Sequence, residues 1–276
     1  MLSDDSKVFT KDNINLFFRD LSKEYKRLGG KNTPVEIILI GGAAIIESYG
    51  FREMTTDIDA VLPDVSIMKE AINRVGDMHD LPNGWLNADF MKTASWSPKL
   101  RQYSVAYRTF NQVLNVRMIT GEYLIAMKLR SGRQYKNDLS DIIGILAEQK
   151  RMGNPISMEQ IELAVTNLYG GWDDFSEEAK QYIQQILSIA DYQKAYETVR
   201  NSEIQTSISL VQFQEAYPGI LSQDNLHSVI ENVVQRKEKR SSVLQQLQEL
   251  KASEEKSKKK NTKAQDETSL HTPVSS

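Results

Sequence analysis

The chain has 276 residues and a formal net charge of −3, from 34 Lys and Arg against 37 Asp and Glu. It holds no cysteine and three scattered histidines, which excludes disulfides, thiolate nucleophiles and cysteine-ligated metals and disfavours a histidine metal cage. No apolar run approaches the roughly 18 residues of a membrane span, and the N-terminal segment is polar and acidic, whereas a signal peptide is basic and then apolar. We therefore expect a cytoplasmic protein with no membrane partner.

Positive charge is concentrated at the C-terminal end of the chain. Residues 236–276 carry a net charge of +4, whereas the residues before them carry −7. Such an acidic body disfavours binding to duplex DNA through its overall field, because phosphate contacts need concentrated positive charge. Residues 251–276 have almost no large apolar side chains to offset the entropy of ordering. They are predicted to form a disordered basic tail.

In the first half of the sequence, the spacing of apolar residues alternates between that of helices and that of strands. Apolar residues between Ile14 and Tyr25 predict an opening helix with Thr10 or Asp12 as its cap, and they are Ile14, Leu16, Phe17, Phe18, Leu21 and Tyr25. The elements that follow are strand 35–42, helix 43–50, strand 55–62, helix 66–78, strands 104–110 and 112–119, and helices 122–132 and 136–149. This pattern predicts an α/β domain over residues 1–150.

The second half of the sequence is helical throughout. The predicted helices cover residues 157–170, 176–199 and 225–250, and the last of them carries a partial apolar stripe that could dock on the body or on a partner helix. The expected fold class is therefore α/β or α+β, with a helical domain over residues 151–250 and the tail after it.

A diglycine turn follows the first predicted strand. Ile40, Gly41, Gly42 and Ala43 lie where this buried strand passes into a helix. Glycine permits close backbone approach, and the free amides and dipole of a helix N-terminus favour an anion. The turn is therefore a candidate phosphate site, although two glycines between a strand and a helix are commonly just a tight turn.

A pair of aspartates lies on the next predicted strand. Asp57 and Asp59 flank Ile58, so both carboxylates share one face of the strand while Ile58 faces the core. Two like charges this close are costly unless a cation lies between them, and oxygen ligands favour a hard ion such as Mg²⁺. Asp-x-Asp alone is common at strand ends. Together with the diglycine turn, it predicts a site for a nucleoside triphosphate.

The segments IGG and TTDIDAV, separated by twelve residues, resemble the signature of the polymerase-β-like nucleotidyltransferase superfamily. The spelling GGAAIIESYGFREMTTDIDAVL is most similar to the bacterial branch that contains the abortive-infection (AbiEii-type) toxins of type IV toxin–antitoxin systems. The resemblance covers residues 35–150 and extends into the helices to about residue 190. It implies a mixed β-sheet core with flanking helices and a Mg²⁺-dependent transfer from an NTP.

The same branch has a lysine helix followed by a basic residue and an Asp-x-x-Asp pair, which here are Lys128, Arg133, Asp138 and Asp141. The resemblance implies that Lys128 and one of these aspartates belong to the active site. From the residues alone, Lys128 could equally extend along the helix to the surface. Asp138 could equally cap its helix or pair with a basic neighbour.

The sequence departs from the superfamily pattern at a third carboxylate, which is usual on a later strand and would serve as a base. The corresponding strand offers Asn115 and Arg117, neither of which is a base at neutral pH. Arg117 could hold phosphate or pair with a carboxylate. Asp89, Asp138 and Asp141 are the other candidates for the missing acid.

The resemblance therefore implies an enzyme that moves a nucleoside monophosphate from an NTP to a hydroxyl or phosphate acceptor. The acceptor could be tRNA, a protein or a small molecule, and a toxin would have an antitoxin as partner. The missing carboxylate also admits a second hypothesis from another class, a non-catalytic domain that binds NTP or another protein.

Overall fold

The computed structural model describes residues 8–131, 137–220, 249–252 and 256. These residues divide into two compact units, the first formed by residues 8–131 with 144–176 and the second by residues 137–143 with those from 177 onward. The predicted helix 225–250 and the predicted tail 251–276 lie outside the described residues, except for 249–252 and 256. The predicted domain boundary near residue 150 stays a prediction.

The first unit is built on a five-stranded mixed sheet with the strand order β3-β2-β1-β5-β4. The strands are β1 (Val35–Leu39), β2 (Ile58–Val61), β3 (Leu86–Asn87), β4 (Ser104–Phe110) and β5 (Leu114–Ile119). The central strand β1 runs antiparallel to β2 and parallel to β5, while β3 is parallel to β2 and β4 antiparallel to β5. The mixed α/β fold expected from the sequence is therefore confirmed.

Helices follow or connect these strands. They are α1 (Lys11–Arg27), α2 (Gly41–Ser48), α3 (Ser66–His79), α4 (Gly121–Ser131), α5 (Asp138–Arg151), α6 (Met158–Tyr169), α7 (Glu177–Leu187) and α8 (Tyr192–Ala216). The first six residues of α5 belong to the second unit together with α7 and α8, and the rest of α5 belongs to the first. Within the described part of the chain, no helix has the length and hydrophobicity needed to cross a bilayer.

The opening helix α1 begins after Thr10, one of the two predicted caps, and the Thr10 amide donates to Asn13 Oδ1 at 2.8 Å. Five of the six apolar residues whose pattern predicts this helix are buried, since they recur with the helical period. The sixth, Leu16, is 42% exposed because it lies outside that stripe.

The prediction of one continuous helix over residues 176–199 is wrong. The chain leaves the helical path after Leu187 and enters α8 at Tyr192, which continues to Ala216. Asp191 caps the new helix, since its carboxylate accepts from the Lys194 amide at 3.0 Å. A side chain that accepts a hydrogen bond from a backbone amide allows a new helix to start at that point. The helix can start there even though the spacing of apolar residues continues across the break.

Replacing this cap should destabilise the second unit. We expect Asp191→Ala to lower the free energy of unfolding by about 1 kcal/mol, because the amide at the start of α8 loses its acceptor. Asp191→Asn keeps a side-chain oxygen and should lose less. Urea unfolding followed by circular dichroism measures both, and equal losses in the two variants would contradict the capping role.

Candidate active site

The two aspartates of the Asp-x-Asp motif flank a core residue of β2. Ile58 is completely buried, whereas Asp57 is exposed and Asp59 partly exposed. Asp59 belongs to β2 and alternates with Ile58, so its carboxylate points to the other face of the sheet. Asp57 directly precedes the strand, so the two acidic side chains lie at the end of β2 where the chain enters it.

The diglycine turn lies against the second of these aspartates. Helix α2 begins at Gly41, which adopts a left-handed backbone conformation with φ of +56°. A Cβ atom on Gly41 would lie 3.4 Å from Asp59 Oδ2. The first hydrogen bond of α2 runs from the Ala44 amide to the Ile40 carbonyl. The amides of residues 41–43 therefore lie before this bond, in the first turn of the helix. The structure therefore brings a carboxylate and the start of a helix into contact.

Two further residues, which the sequence analysis missed, contact the same turn. A Cβ atom on Gly42 would lie 2.6 Å from Thr55 Oγ1 and 2.9 Å from Arg52 Nη2. The Thr55 hydroxyl also lies 3.5 Å from Asp57 Oδ1 and accepts from Arg52 Nη2 at 3.4 Å. Arg52, Thr55 and Asp57 thus form a polar chain beside Gly42, where only glycine leaves room for it.

The loop that carries these residues is fixed by a backbone pair with the N-terminal segment. Thr55 and Phe9 exchange both of their backbone hydrogen bonds, at 2.7 and 2.9 Å. Phe9 is completely buried and its ring stacks on that of Trp85. Thr55 is itself buried, so its hydroxyl has little freedom to move away from Gly42.

Lys128 lies on α4 of the first unit among buried apolar neighbours, and it is only 8% exposed. This burial argues against a lysine that extends along the surface. A buried ammonium group needs a partner or a polar environment. The predicted contact of Lys128 with a triphosphate stays a prediction.

Asp138 and Asp141 begin α5 in the second unit and are 2% and 1% exposed. The start of this helix is bound by Glu203 of α8, which accepts from the amides of Leu139 and Ser140 at 2.9 and 3.2 Å. The Ser140 hydroxyl adds a third bond at 2.5 Å. Glu203 therefore caps these two amides, which is the function that the sequence analysis considered for Asp138. A catalytic role for either aspartate stays a prediction.

Burial raises the pKa of Glu203 to about 8, and the charge of the nearby Asp141 acts in the same direction. The hydrogen bonds from Ser140 and Leu139 favour the ionised form and oppose this shift. The carboxyl group of Glu203 is therefore predominantly neutral near pH 7.

The strand position expected to carry a third carboxylate holds a cation. Ile38 of β1 pairs with Val61 on one side and with Arg117 on the other, so Arg117 lies on the face of the sheet that carries Asp59. Its guanidinium donates to the Ser104 hydroxyl at 2.7 Å and to the Ser104 carbonyl. It also lies 3.8 Å from a carboxylate oxygen of Glu36, which confirms the pairing alternative for Arg117.

The other candidates in this unit also have structural partners. Asn115 accepts a hydrogen bond from the Thr109 hydroxyl at 2.8 Å. The side chain of Asp89 is 75% exposed and forms an ion pair with Lys92 at 2.8 Å. A role of Asp89 as the missing acid stays a prediction.

The donor set fits a magnesium ion that arrives with a nucleotide. Among the described residues, no group of three or more His, Asp or Glu side chains is placed to hold a metal by itself. Mg²⁺ is usually bound through one or two carboxylates together with water and substrate phosphates. Asp57 and Asp59, next to the diglycine turn, would provide those protein ligands and would leave the remaining positions to phosphate and water.

A mixed sheet whose first strand leads into a diglycine helix start, beside a strand with Asp-x-Asp, defines a nucleotidyltransferase-like domain. The chain belongs to the family described as "Nucleotidyltransferase of unknown function (DUF6036)", whose model matches residues 17–200. The match includes both glycines, Asp57, Asp59 and Lys128. No curated protein and no solved structure matches the chain.

The crowding at Gly42 should make this position intolerant of any side chain. We expect Gly42→Ala to lower the free energy of unfolding by roughly 1–3 kcal/mol, because the new methyl group would overlap the anchored Thr55 hydroxyl. Gly50→Ala is the matched control, since a Cβ at Gly50 meets nothing within 4 Å. Thermal and urea unfolding measure both variants, and equal stability of the two would show that the turn is not crowded.

The neutral state of Glu203 should make stability fall with rising pH. Because its pKa is about 8 in the folded protein against an ordinary value of 4.5, its contribution is complete below pH 4.5 and is lost as the pH rises through 8. We expect the wild type to lose on the order of 3 kcal/mol more than Glu203→Gln between pH 5 and pH 9. Urea unfolding across this range measures the difference, and parallel profiles would contradict the raised pKa.

Proposed function

We propose that the protein is a Mg²⁺-dependent nucleotidyltransferase that moves a nucleoside monophosphate from an NTP to an acceptor hydroxyl or phosphate. Family membership supports the general class of activity. The observation that carries the proposal is the position of Asp59 Oδ2, 3.4 Å from the place of a Cβ on Gly41. A carboxylate this close to amides that favour an anion is repelled by a bare phosphate, so the pair suits a metal–phosphate complex.

Each part of this turn has a role in the proposal. Asp57 and Asp59 would hold Mg²⁺, which when bound would polarise phosphoryl oxygens and offset their charge. The amides of Gly41, Gly42 and Ala43 would donate to the β- and γ-phosphates. Lys128 would add a positive charge that offsets the triphosphate. The resemblance of the motifs to the abortive-infection toxin branch is what supports a catalytic role for Asp138 or Asp141.

The proposed reaction is a displacement at the α-phosphorus. A bond forms between the acceptor oxygen and the α-phosphorus, while the bond from this phosphorus to the bridging oxygen breaks. Pyrophosphate leaves with that electron pair, and the proton of an acceptor hydroxyl passes to water or a carboxylate. The protein would accelerate this step mainly by positioning the two reactants and by neutralising charge.

The acceptor could be the 3′ end of a tRNA, a protein hydroxyl or a small molecule. Similarity of the motifs to the abortive-infection toxins favours a macromolecular acceptor and a toxin whose antitoxin is a separate protein. The charge of −7 before residue 236 opposes broad RNA affinity, so an RNA acceptor would have to be recognised locally.

A second candidate function is a non-catalytic domain that binds NTP or another protein. Arg117 favours it, because the strand position that usually carries the base is occupied by a cation bound to Ser104 and Glu36. Loss of a base would leave the phosphate-binding turn intact, so binding could persist without transfer.

Transfer of label from an NTP separates the two candidates. The protein is incubated with Mg²⁺ and each α-labelled NTP, together with total tRNA and cell extract. If the protein is an enzyme, we expect label transfer and pyrophosphate release. Both should fall at least about a hundredfold in the double variant Asp57→Asn/Asp59→Asn, because charge neutralisation at the phosphates is lost. Asp64→Asn is the matched control, since the Asp64 side chain is fully exposed.

NTP binding without transfer to any acceptor would support the non-catalytic domain. An absence of both NTP binding and transfer would contradict the enzyme and the NTP-binding form of the second candidate, and would leave only a domain that binds another protein. Transfer that is equal in the wild type and the double variant would show that chemistry occurs elsewhere in the chain.

A further inference from the structure

We infer that Arg52 binds the β- or γ-phosphate of the nucleotide and thereby makes the site selective for triphosphates. This inference rests on the proposed function and assigns a role to a residue that the sequence analysis did not single out. It starts from the position of the guanidinium, whose Nη2 and Cζ atoms lie 2.9 and 3.1 Å from the place of a Cβ on Gly42. Arg52 therefore contacts the backbone that would receive the phosphates.

The guanidinium is oriented by the loop that carries it. Arg52 Nε donates to the Met54 carbonyl at 3.1 Å, and Nη2 donates to Thr55 Oγ1 at 3.4 Å. Thr55 is in turn fixed by its backbone pair with the buried Phe9. An arginine held in this way loses little further conformational entropy when it binds an anion, which favours a role in recognition.

The chemistry of the group matches a phosphate. Guanidinium presents five N–H donors in a planar fork, which suits the oxygens of a phosphate. The amides at the start of α2 are neutral donors, and the nearest predicted metal ligands, Asp57 and Asp59, are negative. Arg52 brings a permanent positive charge to this turn, in addition to the charges that Mg²⁺ and Lys128 would supply in the proposed complex.

The position also selects among the phosphates. In the proposed complex the α-phosphate must lie where an acceptor reaches it, and the turn at Gly42 holds the β- and γ-phosphates. Arg52 beside Gly42 thus contacts the part of the nucleotide that leaves as pyrophosphate. Its charge should matter for the triphosphate and have no effect on a monophosphate.

Binding measured against the number of phosphates tests this inference. The full-length wild type, Arg52→Ala, Arg52→Lys and Arg27→Ala are titrated with Mg²⁺ and the NTP and NMP of the base that binds best. Arg27→Ala is the matched control, because the Arg27 side chain is 68% exposed and pairs with Glu24 on α1. We expect Arg52→Ala to weaken NTP binding roughly ten- to a hundredfold and to leave NMP binding unchanged.

The conservative variant and a melting curve separate recognition from folding. Arg52→Lys should recover part of the NTP affinity, because it keeps the charge without the planar fork. Unchanged NTP affinity in Arg52→Ala, or an equal loss for NTP and NMP with a lowered melting temperature, would overturn the inference and leave the proposed function standing. A wild type that binds no NTP would overturn both.

Discussion

The backbone pair between Thr55 and Phe9 holds the candidate site together. It ties the loop before β2 to an N-terminal segment whose phenylalanine is buried against Trp85. The loop, in turn, carries Arg52, Thr55 and Asp57 to the first turn of α2. A short irregular segment has no ladder of its own, so its position depends on such single contacts with the core. This attachment fixes the loop beside the turn, while the pairing of β1 with β2 places Asp59 there.

Much of the fold could be predicted because most elements of the first unit obey a simple period. The strand SVAYRTF and the helix SIMKEAINRVGDM lie almost where their patterns place them, as β4 and α3. Prediction failed where a local interaction competes with the period. The break before α8 depends on the capping carboxylate of Asp191, and an apolar pattern does not register a cap inside an otherwise continuous stripe.

The candidate site could be predicted only in part, for a related reason. The glycines and the Asp-x-Asp pair lie on regular elements, so their spacing alone indicates a shared face or turn. Arg52 and Thr55 lie in an irregular loop, and nothing in its sequence indicates that it folds back onto Gly42. The role of Glu203 is even harder to predict, because Glu203 lies 63 residues after Ser140, whose amide donates to it. Contacts between distant segments are not encoded in any local pattern.

The parallel pairing of β1 with β5 has a consequence for synthesis on the ribosome. β1 can bond to β2 soon after both have emerged, because a short helix connects them. Its other edge stays open until Leu114–Ile119 has been translated, since Val35 pairs with Leu114. Non-local parallel pairs form slowly, and an open apolar edge is prone to misassociation in nascent chains. The exposed edge of β1 is therefore covered only after more than half of the first unit has been synthesised.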